Sequence, residues 1–94
     1  MSRLSKLRAS ARGERCTLQF MDVYDHDPET VVLAHLREIS PAGMSQKPDD
    51  LCAVYACFGC HQLLHSGNLP TSAWWDIARA LVRTHQRMVD KGLL

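Results

Sequence analysis

Apolar positions near both termini recur every three or four residues, which predicts a helix at each end of the chain. Leu4, Leu7 and Ala11 share one face of a segment over residues 3–12 that ends at Gly13. The C-terminal pattern predicts a longer amphipathic helix over about residues 71–91. Its apolar stripe consists of Trp74, Trp75, Ile77, Ala78, Leu81, Val82, Met88 and Val89. We expect the two tryptophans to anchor the core of the protein.

The apolar runs between these helices are short and predict strands. "CTLQFMDVY" (16–24) and "LCAVYAC" (51–57) have strand character, whereas "SPAGMSQKPDD" (40–50) is typical of a loop. "ETVVLAHLRE" (29–38) is ambiguous, because Asp27 before Pro28 favours the start of a helix and the β-branched run after Glu29 favours a strand. From about Gly59 the chain can turn helical and end near Gly67.

Length and composition fit one globular domain over residues 1–94. The sequence is 46% hydrophobic and contains no run of 18 apolar residues, so we expect no membrane span. No apolar run follows the basic N-terminus, which argues against a signal peptide and for a cytoplasmic protein. The net charge is +4 over residues 1–15, −5 over 16–60 and +2 over 61–94. This distribution suits a polyanion bound beside a cation site, although it equally suits simple solubility.

Cys57 and Cys60 form a C-x-x-C pair at the predicted junction of a strand and a helix, a spacing typical of a zinc knuckle. A tetrahedral site needs two further ligands. Cys16 is the obvious third, and the fourth would come from Tyr24-Asp25-His26, of which His26 is the best zinc ligand. The alternatives are a redox dithiol, which belongs near a βαβ pattern that this sequence lacks, or two buried free cysteines.

Three further histidines are candidates for chemistry. His61 and His65 are four residues apart in a predicted helix, so they could share a metal ion, or one could lie on the surface while the other packs. His35 interrupts the apolar run "VLAHL", where a lone histidine is more often a core residue than a catalyst. Basic residues that could contact phosphates are Arg8, Arg12, Arg15, Lys47 and the row Arg79, Arg83, Arg87 and Lys91. For the C-terminal row a solvated helix face is the better interpretation.

Four short motifs occur in order between residue 11 and about residue 66: "RGERC", "DPETVVLAHL", "GMSQKPDDL" and "ACFGCH". Together they resemble a family of small prophage-encoded putative nucleases of the HNH, or ββα-metal, type. That family is related to a phage recombination-enhancement nuclease that depends on RecA filaments. The resemblance implies an α+β fold: a zinc-stapled ββα-metal (treble-clef-like) core over residues 12–67, with "VVLAHL" as a strand, between N- and C-terminal helices.

The resemblance also implies roles for individual residues in hydrolysis of DNA phosphodiester bonds. His35 would be the general base, and His61 with His65 would bind a second divalent cation, Mg²⁺, Mn²⁺ or Zn²⁺. Cys16, Cys57 and Cys60 would bind structural zinc. Arg12, Arg15 and Lys47 would contact DNA, and a RecA-type filament is the candidate protein partner.

Three departures from the family pattern leave an alternative open. Tyr24 stands where relatives have a fourth zinc cysteine, and His65 replaces a frequent aspartate. The typical asparagine of the second strand has no counterpart, and Asp50 is the nearest candidate for its positioning role. The alternative is a catalytically inactive zinc-binding module that contacts DNA or a recombination protein.

Overall fold

The computed structural model describes residues 3–36 and 50–94, with side chains from Lys6 onwards. Within these ranges the protein is a small α+β structure with three α-helices, one 3₁₀ turn and a two-stranded antiparallel sheet. The elements in chain order are α1 (Arg3–Ala9), the 3₁₀ turn (Pro28–Thr30), β1 (Val32–His35), β2 (Ala53–Ala56), α2 (Phe58–Leu64) and α3 (Ala73–Asp90). None of the helices described is long and apolar enough to cross a membrane. Most of the loop predicted over residues 40–50, including Lys47, lies outside the described residues.

The ambiguous segment before β1 satisfies both of its sequence signals. Asp27 caps the 3₁₀ turn by accepting a hydrogen bond from the Glu29 N–H at 3.0 Å, and Pro28 occupies the first position of the turn. Val32, the last of the β-branched residues, then begins β1, as the resemblance implied. The turn is too short to compete with the strand, so the two signals act in succession.

The β1–β2 hairpin is the centre of the core. All four residues of β2 are buried, and Leu33 pairs with Tyr55 while His35 pairs with Ala53. Since side chains alternate between the faces of a sheet, Leu33, His35 and Tyr55 share one face. The Tyr55 hydroxyl on this face contacts Ser10 Oγ at 2.7 Å, next to the end of α1. His35 is thereby directed towards the N-terminal segment.

Two threonines provide hydrogen-bond partners for the backbone groups of Tyr55 at the outer edge of β2. The Thr17 N–H and hydroxyl each bind the Tyr55 carbonyl at 2.7 Å, and the Tyr55 N–H donates to Thr84 Oγ1 at 3.0 Å. These bonds connect the edge strand to the N-terminal segment on one side and to α3 on the other. Pairing with another strand is therefore blocked at this position.

The prediction that Trp74 and Trp75 anchor the core is wrong. Trp74 is 47% exposed and Trp75 is 71% exposed. The buried face of α3 keeps Ile77 and Met88 from the predicted stripe, and its other members are Ala73, Ala80 and Thr84. Small residues on this face let the helix axis approach β2 closely, and close packing outweighs the larger apolar area of the indoles.

The strand predicted over residues 16–24 is also absent; the structure describes this whole segment and finds turns and extended loop. Gln19 has a positive φ of 46°, which no regular strand accommodates. Cys16, Leu18 and Phe20 are nevertheless buried. The alternating apolar pattern therefore reflects a segment that folds around the cysteine cluster rather than a strand in the sheet.

Candidate metal centre and active site

Three cysteines and one histidine converge beside the start of α2. The candidate ligand atoms of Cys16, His26, Cys57 and Cys60 all lie within 4.8 Å of one another. Among residues 3–36 and 50–94 they are the one group of three or more Cys, His, Asp or Glu side chains placed to bind a common metal ion. The prediction that these four side chains meet in a position to bind one metal ion is confirmed, including the choice of His26, and the identity of that ion as zinc stays a prediction. Tyr24, where the family pattern described above implies a cysteine, is 99% exposed and lies on the surface.

The spacing of these atoms fits a tetrahedral zinc ion. A zinc ion with sulfur at about 2.3 Å and nitrogen at about 2.0–2.1 Å holds those two atoms about 3.6 Å apart in a tetrahedron. His26 Nδ1 lies 3.5 Å from Cys57 Sγ and 3.5 Å from Cys60 Sγ. A donor set of three thiols and one imidazole is typical of structural zinc, since four protein ligands leave no coordination position for a substrate.

The surroundings of the cluster favour a thiolate. A hydrogen bond from the Cys60 thiol, aided by backbone N–H groups, lowers the pKa of Cys16 to about 4 despite burial. The same pairing, together with burial, raises the pKa of Cys60. The Gln19 N–H lies 3.4 Å from Cys16 Sγ and contributes to this stabilisation. The cluster therefore holds one negative sulfur readily, which favours a bound cation.

Gly59, between the two knuckle cysteines, permits a close contact. A Cβ added there would lie 2.7 Å from Val23 Cγ1. The loop that contributes Cys16 and His26 thus packs directly on the first turn of α2. A larger residue at position 59 would push this loop outwards and separate His26 from the cysteines.

His35 forms a second polar group, with Asp50 and Arg8. His35 Nε2 lies 2.6 Å from Asp50 Oδ1, and Arg8 Nε lies 3.3 Å from Asp50 Oδ2. The Asp50 side chain is only 1% exposed, whereas that of His35 is 24% exposed. Asp50, the nearest sequence candidate for the positioning role, therefore lies in direct contact with His35, and the role itself stays a prediction. The contribution of Arg8 was not predicted, because the residues are 42 positions apart and no local pattern connects them.

His61 and His65 lie together at the end of α2. Their ring centroids are 5.0 Å apart with an interplanar angle of 72°, an edge-to-face arrangement. His61 belongs to the helix, and His65 is its C-cap residue. The helical spacing predicted this proximity. Binding of a metal ion by the pair stays a prediction.

The predicted basic contacts fall into two groups. Arg12 and Arg15 are exposed, and Lys47 lies outside the described residues. On α3, Arg83 donates to the Thr17 carbonyl, whereas Arg87 and Lys91, the C-cap residue of α3, form ion pairs with Glu14. Part of the C-terminal row therefore ties α3 to the N-terminal segment and is not simply a solvated face. A hydrogen bond from Arg87 lowers the pKa of Glu14, and Lys91 acts in the same direction.

Comparison with known proteins places this chain in a family. A family model described as "Putative nuclease YbcO" matches residues 5–92. Relatives with that name from Escherichia coli (strain K12) and from Enterobacteria phage 82 are each 43% identical to the chain over 58 residues. The aligned region covers 62% of this chain and spans 60% of the length of each relative.

A solved structure shares the fold. It is described as "Structure of a putative bacteriophage protein from Escherichia coli str. K-12 substr. MG1655", with a TM-score of 0.69 and 29% identity. The similarity covers 93% of this chain and 100% of that one. Because the family model matches nearly the whole chain, the protein belongs to the family described as putative nuclease YbcO.

Proposed function

We propose that this protein is a metal-dependent endonuclease of the HNH type that hydrolyses phosphodiester bonds in DNA. The observation that carries the proposal is the 2.6 Å contact between His35 Nε2 and the buried carboxylate of Asp50. A histidine oriented by a carboxylate is the arrangement that general-base chemistry uses repeatedly. Membership in a family named for nuclease activity supports the same reaction class.

In this proposal the contact with Asp50 selects one tautomer of His35. An ionised carboxylate only accepts hydrogen bonds, so Asp50 holds the proton on Nε2 and leaves Nδ1 as an acceptor. Nδ1 would take a proton from the attacking water, and the positive charge that develops on the ring would be stabilised by Asp50. The guanidinium of Arg8 balances the carboxylate charge and fixes its position. The partial exposure of His35 leaves room for substrate.

His61 and His65 are the proposed ligands of the second cation. Two imidazoles on one side of the last turn of α2 suit Zn²⁺ or Mn²⁺ better than Mg²⁺. A cation bound there would supply Lewis-acid stabilisation of the phosphate and of the leaving oxygen. No third Cys, His, Asp or Glu completes a cluster with this pair within residues 3–36 and 50–94. Water and phosphate oxygens are the expected remaining ligands.

The Cys16, His26, Cys57 and Cys60 cluster is the proposed structural zinc site, and the exposed Arg12 and Arg15 are proposed phosphate contacts. Lys47 is proposed to act with them on the basis of sequence alone. We further propose a role in phage or prophage DNA processing, with a RecA-type filament as the candidate partner. A relative in a phage supports this context.

Substituting His35→Ala in the full chain tests the proposal. We expect cleavage of plasmid DNA, assayed separately with Mg²⁺, Mn²⁺ and Zn²⁺, to fall by about 10²–10⁴-fold while DNA retention is unchanged. Asp50→Asn should reduce cleavage in the same direction. His85→Gln is the matched control, since glutamine keeps a donor for the Leu51 carbonyl that His85 contacts.

A second candidate function is the catalytically inactive zinc module. The nearly complete burial of Asp50 between His35 and Arg8 favours it, because a structural ion pair has the same geometry. In that case the wild-type protein retains DNA without cleaving it with any of the three cations. Wild-type cleavage that survives His35→Ala would refute the assigned base but not nuclease activity itself.

A further inference from the structure

An indole side chain of α3 faces solvent next to two arginines. Trp75 is 71% exposed, and together with Ala78, Arg79, Val82 and Arg83 it lines an open depression of about 380 Å³. These residues are spaced by three or four along the helix and therefore share one face. Val82 is 70% exposed, so the floor of the depression is apolar while its border is basic.

A second depression adjoins the first at Arg83. It has a volume of about 320 Å³ and lies between residues 14–19 and α3. Its charged lining residues are Arg15, Arg83 and the ion pair of Arg87 with Glu14. Arg83 donates one hydrogen bond, 3.3 Å long, to the Thr17 carbonyl. That bond fixes the guanidinium at the boundary of the two depressions and uses one of its five donors. The two depressions thus form one surface, which we call the Trp75–Arg83 track.

We propose that the Trp75–Arg83 track binds single-stranded nucleic acid. The indole of Trp75 would stack on a base, and Arg79, Arg83 and Arg15 would contact successive phosphates. An exposed aromatic ring beside cationic side chains is the arrangement used for single strands, whose unpaired bases offer a free face. In a duplex those faces are covered by neighbouring base pairs, so Trp75 would have no ring to stack on.

Charge argues against a second copy of the chain as the occupant. A symmetric contact would bring the Arg79 and Arg83 side chains of both copies together around the indoles, and like charges in one interface repel each other. A polyanion neutralises the same side chains. The inference rests on the proposed nuclease function only in naming the form of its substrate, since binding to the track does not require cleavage.

The test measures binding by the full-length His35→Ala protein, which removes the proposed cleavage. The probe is a fluorescein-labelled oligonucleotide of 15 thymidines, and anisotropy gives Kd at several salt concentrations. We expect Trp75→Ala to raise Kd by about 5- to 150-fold and Trp75→Phe to raise it much less. The matched control is Trp74→Ala, since Trp74 is the other tryptophan of the chain and does not line the depression. Arg79→Ala should reduce the slope of log K against log salt by about 0.7, the value for one phosphate contact on a single strand.

Three results would overturn the inference. The first is an equal effect of Trp74→Ala and Trp75→Ala on Kd. The second is tighter binding to a duplex of the same length, if Trp75→Ala does not weaken that binding. The third is a dimer in light scattering that Trp75→Ala abolishes. Melting temperature and zinc content show that the variants are folded. If the wild-type protein cleaves DNA but binding does not depend on Trp75, the proposed role of the Trp75–Arg83 track is refuted and the proposed nuclease function is not. If binding depends on Trp75 but the wild-type protein does not cleave DNA, the nuclease function is refuted and the role of the track is not.

Discussion

Replacing His26 with alanine removes the nitrogen donor from the four-ligand cluster and leaves three thiols. Replacing Cys57 with serine removes a sulfur that lies 3.5 Å from His26 Nδ1. Both changes open a coordination position that water would fill less well than the native ligand. We expect the zinc content to fall below one ion per chain in both variants, and the fold to weaken.

The size of the effect follows from the size of the domain. Stability of about 0.05–0.15 kcal/mol per residue gives about 5–14 kcal/mol for a chain of 94 residues. Structural zinc contributes about 10–16 kcal/mol at pH 7, which is as much as the whole stability. Shared among four ligands, this is about 2.5–4 kcal/mol for each. For a domain of this length that corresponds to a fall in melting temperature of at least about 10 °C.

Elemental mass spectrometry and thermal unfolding followed by circular dichroism measure both quantities. The chain supplies its own control in Cys52, the fourth cysteine, which lies outside the cluster with its thiol 3.6 Å from the Leu36 carbonyl. Cys52→Ser should keep one zinc ion and nearly the wild-type melting temperature. A His26→Ala protein with one zinc ion and an unchanged melting temperature would refute His26 as a ligand. Loss of zinc in Cys52→Ser would refute the assignment of the cluster.

Two further predictions concern the contacts that hold α3 in place. Glu14→Gln should destabilise the protein by about 0.5–1 kcal/mol at neutral pH. The Arg87 hydrogen bond lowers the pKa of Glu14 below its value in the unfolded chain, so the difference in stability between the two proteins should vanish as the pH falls through the lowered pKa. Urea unfolding of both proteins at a series of pH values measures this difference. A difference that grows towards acid pH would contradict the ion pair. Thr84→Val keeps the shape of the side chain but removes the acceptor of the Tyr55 N–H, so the free energy of unfolding should fall by about 1–3 kcal/mol. Thr71→Val, on the exposed segment before α3, should leave the free energy of unfolding unchanged. Equal effects of Thr84→Val and Thr71→Val would refute the role of the contact between Thr84 and Tyr55.

The sequence was most informative where a feature depends on nearby residues. The C-x-x-C spacing places Cys57 and Cys60 at the start of a helix. Asp27 before Pro28 predicts the start of a helix, and the structure forms a single 3₁₀ turn there. Coordination chemistry added Cys16 and His26, since three sulfurs and an imidazole are what zinc prefers. Four residues between His61 and His65 predict neighbouring rings for the same local reason.

The sequence failed where the answer depends on which surfaces meet. Hydrophobicity placed Trp74 and Trp75 in the core, but α3 turns its small residues to β2 because close approach of the backbone to the sheet gains more contacts. Alternation over residues 16–24 predicted a strand, whereas the edge of β2 is occupied by Thr17 and Thr84, which bind the backbone groups of a single β2 residue, Tyr55.

By itself the sequence determined the ligand chemistry of the metal cluster, the strand before the C-x-x-C pair and the helices, because each depends on residue type and short spacing. Only the tertiary structure decided that Asp50 contacts His35, that Arg8 joins them, and that Trp75 faces solvent. These contacts connect residues far apart along the chain. The physical reason is that spacing constrains local geometry, whereas partners across the fold are selected by packing and charge once the whole chain is compact.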